Sequence, residues 1–320
     1  MRGRFYFSPS GDGWRNLAAD ECFLDALGQE DFLLYLYVNE NAVILGRNQN
    51  PWRECDLEAM ERDGVQLVRR VTGGGAVYHD GGNLNYSFLC GRDAYDPDGQ
   101  AEIILRAVRA LGVPAEKNGR NDLVAADGRK FSGRAFCARG EMRQHHGTLL
   151  ISSDLSRMSR YLRPSAEKLR SKGVASVQSR VCNLSQLLPG LTVARAAAAL
   201  REACEEAVGP LAPLGPEDPA LAGIAPYEAR QRSWEWRLGK SPDFDVSWEG
   251  RFPWGEAQLF FAVSEGTVRE TKLYTDAMDA ALPERVRALC AGRRFDDLPA
   301  VLAAAGGEAA DLASLLRRPD

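Results

Sequence analysis

Two alternating runs, Leu123–Ala126 and Arg129–Phe136, are separated only by Asp127-Gly128. Asp-Gly between such runs is the strongest short-range signal for a β-hairpin, because the tight turn that matches strand twist needs residues tolerating positive φ. A chain committed to this hairpin has to build a sheet around it. Other segments can supply the strands. Phe32–Val38 and Ala42–Leu45, separated by Asn39-Glu40-Asn41, read as two strands and a turn. Val65–Arg70 is another strand, Ala76–His79 and Leu84–Leu89 flank the turn residues Asp80-Gly81-Gly82, and His146–Ser152 follows the hairpin. Helical spacing of apolar residues falls between these runs, over Asn16–Leu27, Ala101–Leu111 and Ala194–Val208.

Pro210–Pro219 holds four prolines and reads as a loop. After Trp236 the character changes. Ala257–Val263 and Val268–Tyr274 form a second hairpin pattern around Glu265-Gly266, and from Pro283 onward the chain is rich in Ala, Leu and Arg with helical spacing. A boundary near residue 245 divides the chain into 1–245 and 246–320; the alternative is a helical cap on one core.

Several classes are disfavoured. The amino end, MRGRFYFSPSGDGW, lacks an apolar run with a small-residue cleavage site, and no apolar run approaches about 18 residues, so neither a signal peptide nor a membrane span is expected. A formal net charge of -4 argues against nucleic-acid binding through broad positive charge. Seven scattered cysteines without a CxxC pair fit reduced thiols and a cytoplasmic location. The three histidines, His79, His145 and His146, show no zinc-site spacing.

Chemistry concentrates in three stretches. Arg69-Arg70-Val71-Thr72-Gly73-Gly74-Gly75-Ala76-Val77-Tyr78-His79 ends a strand in two arginines and follows with a glycine run. Forked guanidinium donors and unhindered backbone N–H groups suit an anionic ligand such as a phosphate, although neither standard nucleotide fingerprint is present and a tight hairpin would also use glycine. The second stretch joins Asn118-Gly119-Arg120-Asn121-Asp122 to Lys130-Phe131-Ser132-Gly133. Strand alternation puts Lys130, Ser132 and Arg134 on one face, and Asn121 with Asp122 offers oxygens that could hold magnesium beside phosphates. A lysine in such a place is more often a solvated edge residue, and Asn-Asp often only starts a turn. In the third stretch, His145 and His146 face opposite sides of a strand, so at most one can point into a shared pocket.

Taken together, the motifs are specific. RRVTGGGAVYHDGGNLNYSF at 69–88, GRNDLV at 119–124, RKFSGRAF at 129–136 and HHGTLL at 145–150 resemble the lipoate–protein ligase A family, as do VILGRNQNPWREC at 43–55, KLRSKGVASVQSRVCNLSQLLPG at 168–190 and SWEWRLGKSPDF at 233–244. The resemblance implies a mixed α/β (α+β) catalytic domain with a mixed β-sheet, of the fold shared with biotin protein ligases, plus a small C-terminal accessory domain. It places the family's catalytic lysine on Lys130. Adenylate contacts would fall on Arg70, Thr72, Gly73, Gly74, Gly75, Ala76, Val77, Tyr78, His79, Asn83, Lys130 and Ser132. Lipoate contacts would fall on Tyr37, Arg70, Gly74, Gly75, Lys130, Gly133, Ala135, His146 and Gly147, and Mg2+ on Asn121 and Asp122.

The activity so implied uses ATP and Mg2+ to convert (R)-lipoate, and also octanoate, to an acyl-AMP. The acyl group then passes to a lysine of a lipoyl domain of a 2-oxoacid dehydrogenase E2 subunit or of the glycine-cleavage H protein. A monomer without nucleic-acid or membrane partners is expected. The nearest rival is a cysteine-dependent octanoyl or lipoyl transferase of the same fold. The segment where some such enzymes carry their cysteine, Asn118–Asp122, has none, and Cys182 stands in an SRVCNL context where ligases resembling this chain have SRVTNL. A biotin ligase fits less well, because its glycine-rich signature is organised differently.

Overall fold

The computed structural model describes residues 1–119, 121–163, 181–238, 246–264 and 266–316. The greater part of the 168–190 motif and the end of the 233–244 motif lie outside the described residues, as does Arg120.

An eight-stranded mixed sheet dominates. Its strands are β1 (Arg2–Phe7), β2 (Asp31–Tyr37), β6 (Asn83–Gly91), β7 (Ala115–Asn118), β8 (Asp122–Ala125), β9 (Lys130–Arg139), β10 (Met142–Leu150) and β11 (Ala212–Pro213), in the order β11-β1-β2-β6-β10-β9-β8-β7. β1 runs parallel to both β2 and β11, and the registered pairs from β2 through β10 and β9 to β7 are antiparallel. β3 (Asn41–Leu45), β4 (Gln66–Arg69) and β5 (Val77–Asp80) form a separate small sheet, β4-β3-β5.

Both faces of the large sheet are covered. Helix α1 (Gly13–Ala26) lies over one face, and α2 (Pro97–Ala110) and α3 (Val193–Val208) belong to the core on the other. α1 starts where the Asp12 side chain accepts from the backbone N–H groups of Trp14 and Arg15, and α2 starts at Asp96 with Pro97 at its first position. Period-2 alternation sorts β2 between the two cores: Phe32, Leu34 and Leu36 join α2 and α3, while Leu33, Tyr35 and Tyr37 join α1. On the α1 side Tyr6, Phe23 and Tyr35 meet with ring centroids 5.4–5.6 Å apart. Removing the Phe23 ring would cost roughly 3–5 kcal/mol.

The expected strands are present, but two expected turns do different work. β2 and β3 are not partners. All seven residues of β2 are buried because β1 and β6 flank it, while Asn16 of α1 donates to Val38 O at 3.0 Å and Asn39 Oδ1 at 2.9 Å. Those bonds hold the connection against α1, and the chain leaves for the other sheet. Asp80-Gly81-Gly82 likewise carries the chain from the small sheet to the large one. The Asp127-Gly128 hairpin forms as read, with Gly128 at φ +79°. β1, β7 and β11 were not signalled by pattern; Pro213 sits on an edge strand, where a missing N–H is tolerated.

Two compact units divide the chain: 1–44, 52–68 and 77–237 form the first, and 45–51, 69–76 and 238–320 the second. The second unit has its own sheet, β12 (Val246–Phe252), β13 (Gly255–Ser264) and β14 (Thr267–Thr275), with helices α5 (Leu282–Cys290), α6 (Leu298–Ala305) and α7 (Gly307–Leu316), while α4 (Ala225–Arg232) belongs to the first. Leu259, Phe261, Val286, Leu298, Leu302 and Leu312 are fully buried there, so this unit has a core of its own.

Candidate functional site

The second unit holds the glycine segment. Arg69 ends β4 and donates through Nη1 to the carbonyls of Gly46, Arg47 and Gln49. Arg70 is 7% exposed, and its guanidinium grips the loop that follows: Nε to Thr72 Oγ1 at 3.0 Å, and Nη2 to the carbonyls of Gly73 at 2.6 Å and Gly75 at 2.9 Å. With its carbonyls drawn to one cation, the segment becomes a shaped loop. The three glycines serve different ends. Gly74 has φ +93°, closed to most side chains, and Gly73 is needed for close approach because a Cβ there would stand 2.3 Å from Ala277 O. At Gly75 a Cβ would meet nothing within 4 Å. Gly74 N–H donates to Ala277 O at 3.2 Å, Thr275 N–H to Asn48 O at 2.8 Å, and Asn48 Nδ2 to Ala280 O at 3.1 Å. The segment after β14 is thus laced to the glycine loop by backbone bonds.

In the first unit the α1-covered sheet face presents ordered rows of side chains. The first is Tyr37, Asn85, Thr148 and Gly133: Tyr37 and Thr148 both face Asn85, and Gly133 N–H donates to Thr148 Oγ1 at 3.4 Å. The second is Tyr35, Ser87, His146 and Ala135, and the third Leu33, Leu89, Gln144 and Cys137. Tyr37 stacks on Tyr35 with centroids 4.8 Å apart. His146 is buried, and its Nδ1 lies 3.1 Å from Asp20 Oδ2 on α1.

Lys130 marks the open end of this strip. Strict alternation would turn it to the same face as Ser132 and Arg134, and the structure overturns that expectation. Val124 pairs with Lys130 but Leu123 pairs with Ser132, so Phe131 is an extra residue in β9. This bulge reverses the phase, because each inserted residue flips the faces of all that precede it. Ser132 Oγ meets Tyr86 OH at 3.4 Å on the α2 side, whereas a Cβ on Gly133 would stand 3.0 Å from Lys130 Nζ. The ammonium therefore lies on the face shared by Gly133, Ala135 and His146. It pairs with Asp122 Oδ1 at 2.7 Å, both side chains being more than a third exposed. The Lys130 carbonyl accepts from Cys182 N–H at 2.9 Å, which fixes the backbone beneath it.

The other expected residues sort as follows. His145 faces the opposite side from His146, fully buried, with Nδ1 3.0 Å from Gln100 Oε1. Burial, with Arg134 nearby, holds its imidazole well below the ordinary histidine range, so it is a neutral core residue. Gly147 also faces away from the strip, and a Cβ there would lie 2.4 Å from both Gly133 O and Tyr86 OH. His79 Nδ1 is 3.1 Å from Asn39 Nδ2, Tyr78 OH donates to Asn41 at 3.1 Å, and Asn83 Nδ2 donates to Asn85 Oδ1 at 3.0 Å. Ala76 and Val77 are half-buried, and Thr72 is fully buried. Asn121 keeps a buried Oδ1 without a hydrogen-bond partner. The carboxylate of Asp122, its neighbour in sequence, is the one paired with Lys130. Among the described residues no group of three or more His, Cys, Asp or Glu gathers as a metal cluster. Cys182 is fully buried, and burial pushes its thiol above the ordinary range.

Sequence pattern did not single out Asp20, Ser87 or Gln144. Asn16, Asp20 and Glu21 are all buried polar residues of α1, and the four-residue spacing of Asn16 and Asp20 was the available signal.

Solved structures that this fold resembles over most of the chain include lipoate–protein ligases. A P. falciparum protein, LipL1, solved in complex with lipoate, is 26% identical over 97% of each chain with a TM-score of 0.82. A bipartite lipoate protein ligase from Thermoplasma acidophilum, studied with its E2 lipoyl domain, is 27% identical over 77% of this chain and 100% of its own, with a TM-score of 0.67. A lipoate-protein ligase A solved with ATP bound is 25% identical over 75% of this chain and 99% of its own, with a TM-score of 0.64. Residues 12–205 match the family described as lipoyl protein ligase A/B catalytic domain, and residues 241–304 match the bacterial lipoate protein ligase C-terminus. The chain belongs to the lipoyl protein ligase A/B family.

Proposed function

We propose that this chain is an ATP-dependent lipoate–protein ligase that works through lipoyl-AMP. The observation that carries the reading is the Lys130 ammonium, turned by the β9 bulge onto the head of a buried strip. A carboxylate is a poor acyl donor because oxide would have to leave. In the proposed first step a lipoate oxygen attacks the α-phosphorus of ATP, a new P–O bond forms, and pyrophosphate departs. In the second the amine of the acceptor lysine attacks the acyl carbon, the C–O bond breaks and AMP leaves.

Lys130 offsets the mutual repulsion of carboxylate and phosphate, so its charge acts where charge is greatest in the transition state. The strip behind it, from Tyr37 to His146 and Ala135, takes the acyl chain. The glycine loop, shaped by Arg70, offers backbone N–H groups to phosphate oxygens, with His79 and Asn83 contributing to the nucleotide site. Asn121 and Asp122 would hold Mg2+, which would supply neutralising charge at the phosphates. Residues 1–245 act as the catalytic domain and 246–320 as the accessory domain. Lipoyl domains of 2-oxoacid dehydrogenase E2 subunits or the glycine-cleavage H protein serve as acceptors, a reading supported by a related ligase having been studied with its E2 lipoyl domain.

The thioester-forming alternative is disfavoured by Cys182, whose buried thiol is pushed away from the thiolate that nucleophilic catalysis needs. Purified protein should exchange labelled pyrophosphate into ATP only when lipoate is present, and should add a lipoyl mass to a lipoyl domain only with ATP. Transfer from an acyl-carrier thioester without ATP would overturn the reading.

A further inference from the structure

Asn16 on α1, Tyr35 on β2, Asn39 just after β2 and His79 on β5 bury their polar ends together, and the network they form leaves each atom one role. Asn16, Tyr35 and Asn39 are 0% exposed and His79 is 4% exposed, so water cannot stand in for a missing partner. The network has an unambiguous origin, because a backbone carbonyl can only accept. One end of the Asn16 amide lies 2.9 Å from Ser10 O and 3.0 Å from Val38 O, so that end is the nitrogen. The other end is the oxygen, which accepts from Ser8 Oγ at 2.7 Å and from Tyr35 OH at 3.3 Å.

The assignment passes from one side chain to the next. Asn16 Nδ2 also stands 2.9 Å from the Asn39 amide, and the atom facing it is the Asn39 oxygen. Turned over, the Asn39 amide would set N–H against N–H. With its oxygen on Asn16, Asn39 presents Nδ2 to His79 Nδ1 at 3.1 Å. An amide nitrogen offers only protons. His79 Nδ1 is therefore the bare, accepting nitrogen, and the ring proton sits on Nε2. A proton on Nδ1 would press two buried donors together and leave both without an acceptor.

Resting on the reading of His79 as part of the nucleotide site, we propose that Asn16 and Asn39 are positioning residues that hold His79 as an uncharged donor through Nε2. So held, His79 steadies an oxygen of the acyl-adenylate and does not serve as the base for the acceptor lysine. The bare nitrogen that a base would need is the one turned to Asn39. A donor set in advance needs no reorganisation when negative charge gathers on an oxygen in the transition state. Each asparagine acts only through the next group, Asn16 on Asn39 and Asn39 on His79.

The full chain has three histidines, so long-range proton–nitrogen correlation NMR can read every imidazole ring, and the signals missing from His79→Gln identify His79. Native His79 should show a bare Nδ1 and a protonated Nε2; a proton on Nδ1 overturns the proposal. In Asn39→Asp the new carboxylate still accepts from Asn16 but offers His79 only an acceptor, so Nδ1 should become protonated, and an unchanged Nδ1 overturns the proposal. If Asn39→Asp does not fold, the native ring alone decides. The role of the donor is read from transfer of the acyl group of supplied lipoyl-AMP to a lipoyl domain. The glutamine amide N–H stands in for Nε2–H but cannot act as a base, so His79→Gln should exceed His79→Ala by about tenfold in kcat/KM. Equal loss in the two variants overturns the proposal. If no acid supports pyrophosphate exchange and lipoyl-AMP gives no transfer in the native protein, the ligase reading fails instead, and the protonation of Nδ1 in native protein and in Asn39→Asp still upholds or overturns the hold of the two asparagines on His79.

Discussion

Replacing Lys130 by alanine separates its structural contribution from its catalytic one. The only ion pair recorded for its ammonium among the described residues is with Asp122 at 2.7 Å, with side-chain exposures of 36% and 44%. A pair so open to solvent contributes about 0–1 kcal/mol to stability. The backbone bond from Cys182 N–H to the Lys130 carbonyl does not depend on the side chain. Lys130→Ala should therefore melt within a few degrees of the native protein. Its activity should fall much further. Removing one preorganised charge from a site of developing negative charge costs about 2.7–4 kcal/mol, or roughly 10²–10³ in rate. Single-turnover quenched flow resolves adenylate formation from ATP and lipoate, and the same preparation can be given lipoyl-AMP with a lipoyl domain. Both half-reactions should be slowed. A variant that folds and runs both steps within about threefold of the native rate would show that the ammonium above Gly133 is a surface charge and nothing more.

Three further outcomes are expected. Gly147→Ala places a Cβ 2.4 Å from Gly133 O and Tyr86 OH, where backbone cannot easily yield, and should destabilise the fold by about 1–3 kcal/mol in urea titration; an unchanged midpoint would mean that β9 and β10 can part. Because burial holds His145 well below the ordinary histidine range, the unfolded chain takes up a proton near pH ~6.5 that the folded chain refuses; its contribution is full above that pH and lost as pH falls through and below it. Melting temperature should accordingly fall less steeply from pH 7.5 to 5.5 in His145→Gln than in the native protein, and parallel slopes would refute this origin. Cys182→Thr should keep most ligase activity, since the thiol is fully buried, and a hydroxylamine-sensitive acyl-enzyme lost in that variant would count against an adenylate route.

Local chemistry was legible in the sequence wherever a residue acts through its own neighbours. Asp127-Gly128 gave its hairpin, and the opposed faces of His145 and His146 followed from period-2 alternation. The destinations of strands were not legible. Asn39-Glu40-Asn41 looks like a hairpin turn, but the buried Asn16 side chain, more than twenty residues away in sequence, sends the chain to another sheet. The face of Lys130 was misassigned for a related reason. A bulge at Phe131 shows only in the pairing of β9 with β8, and alternation counted along a single strand cannot see an extra residue. Asp20 and Gln144 were missed because each is one polar residue among several in its element, and nothing in the local pattern says which of them meets the strip. Their contacts, Asp20 with His146 and Gln144 with Ser87, exist only once the sheet strands pair and α1 packs on them.

The lacing of the glycine loop to the segment after β14 bears on how the protein is made. Gly74 N–H and the amide of Asn48 take partners at Ala277 and Ala280, in chain synthesised about 200 residues later. At about 5–20 residues per second, the loop emerges from the ribosome some 10–40 s before those partners exist. Over that interval the sheet of the first unit can assemble around β2 and β6, while the 69–76 segment, which is grouped with the late-made residues, lacks its long-range bonds. The glycine loop is therefore among the earliest parts of the chain to be translated and among the last to acquire its shape.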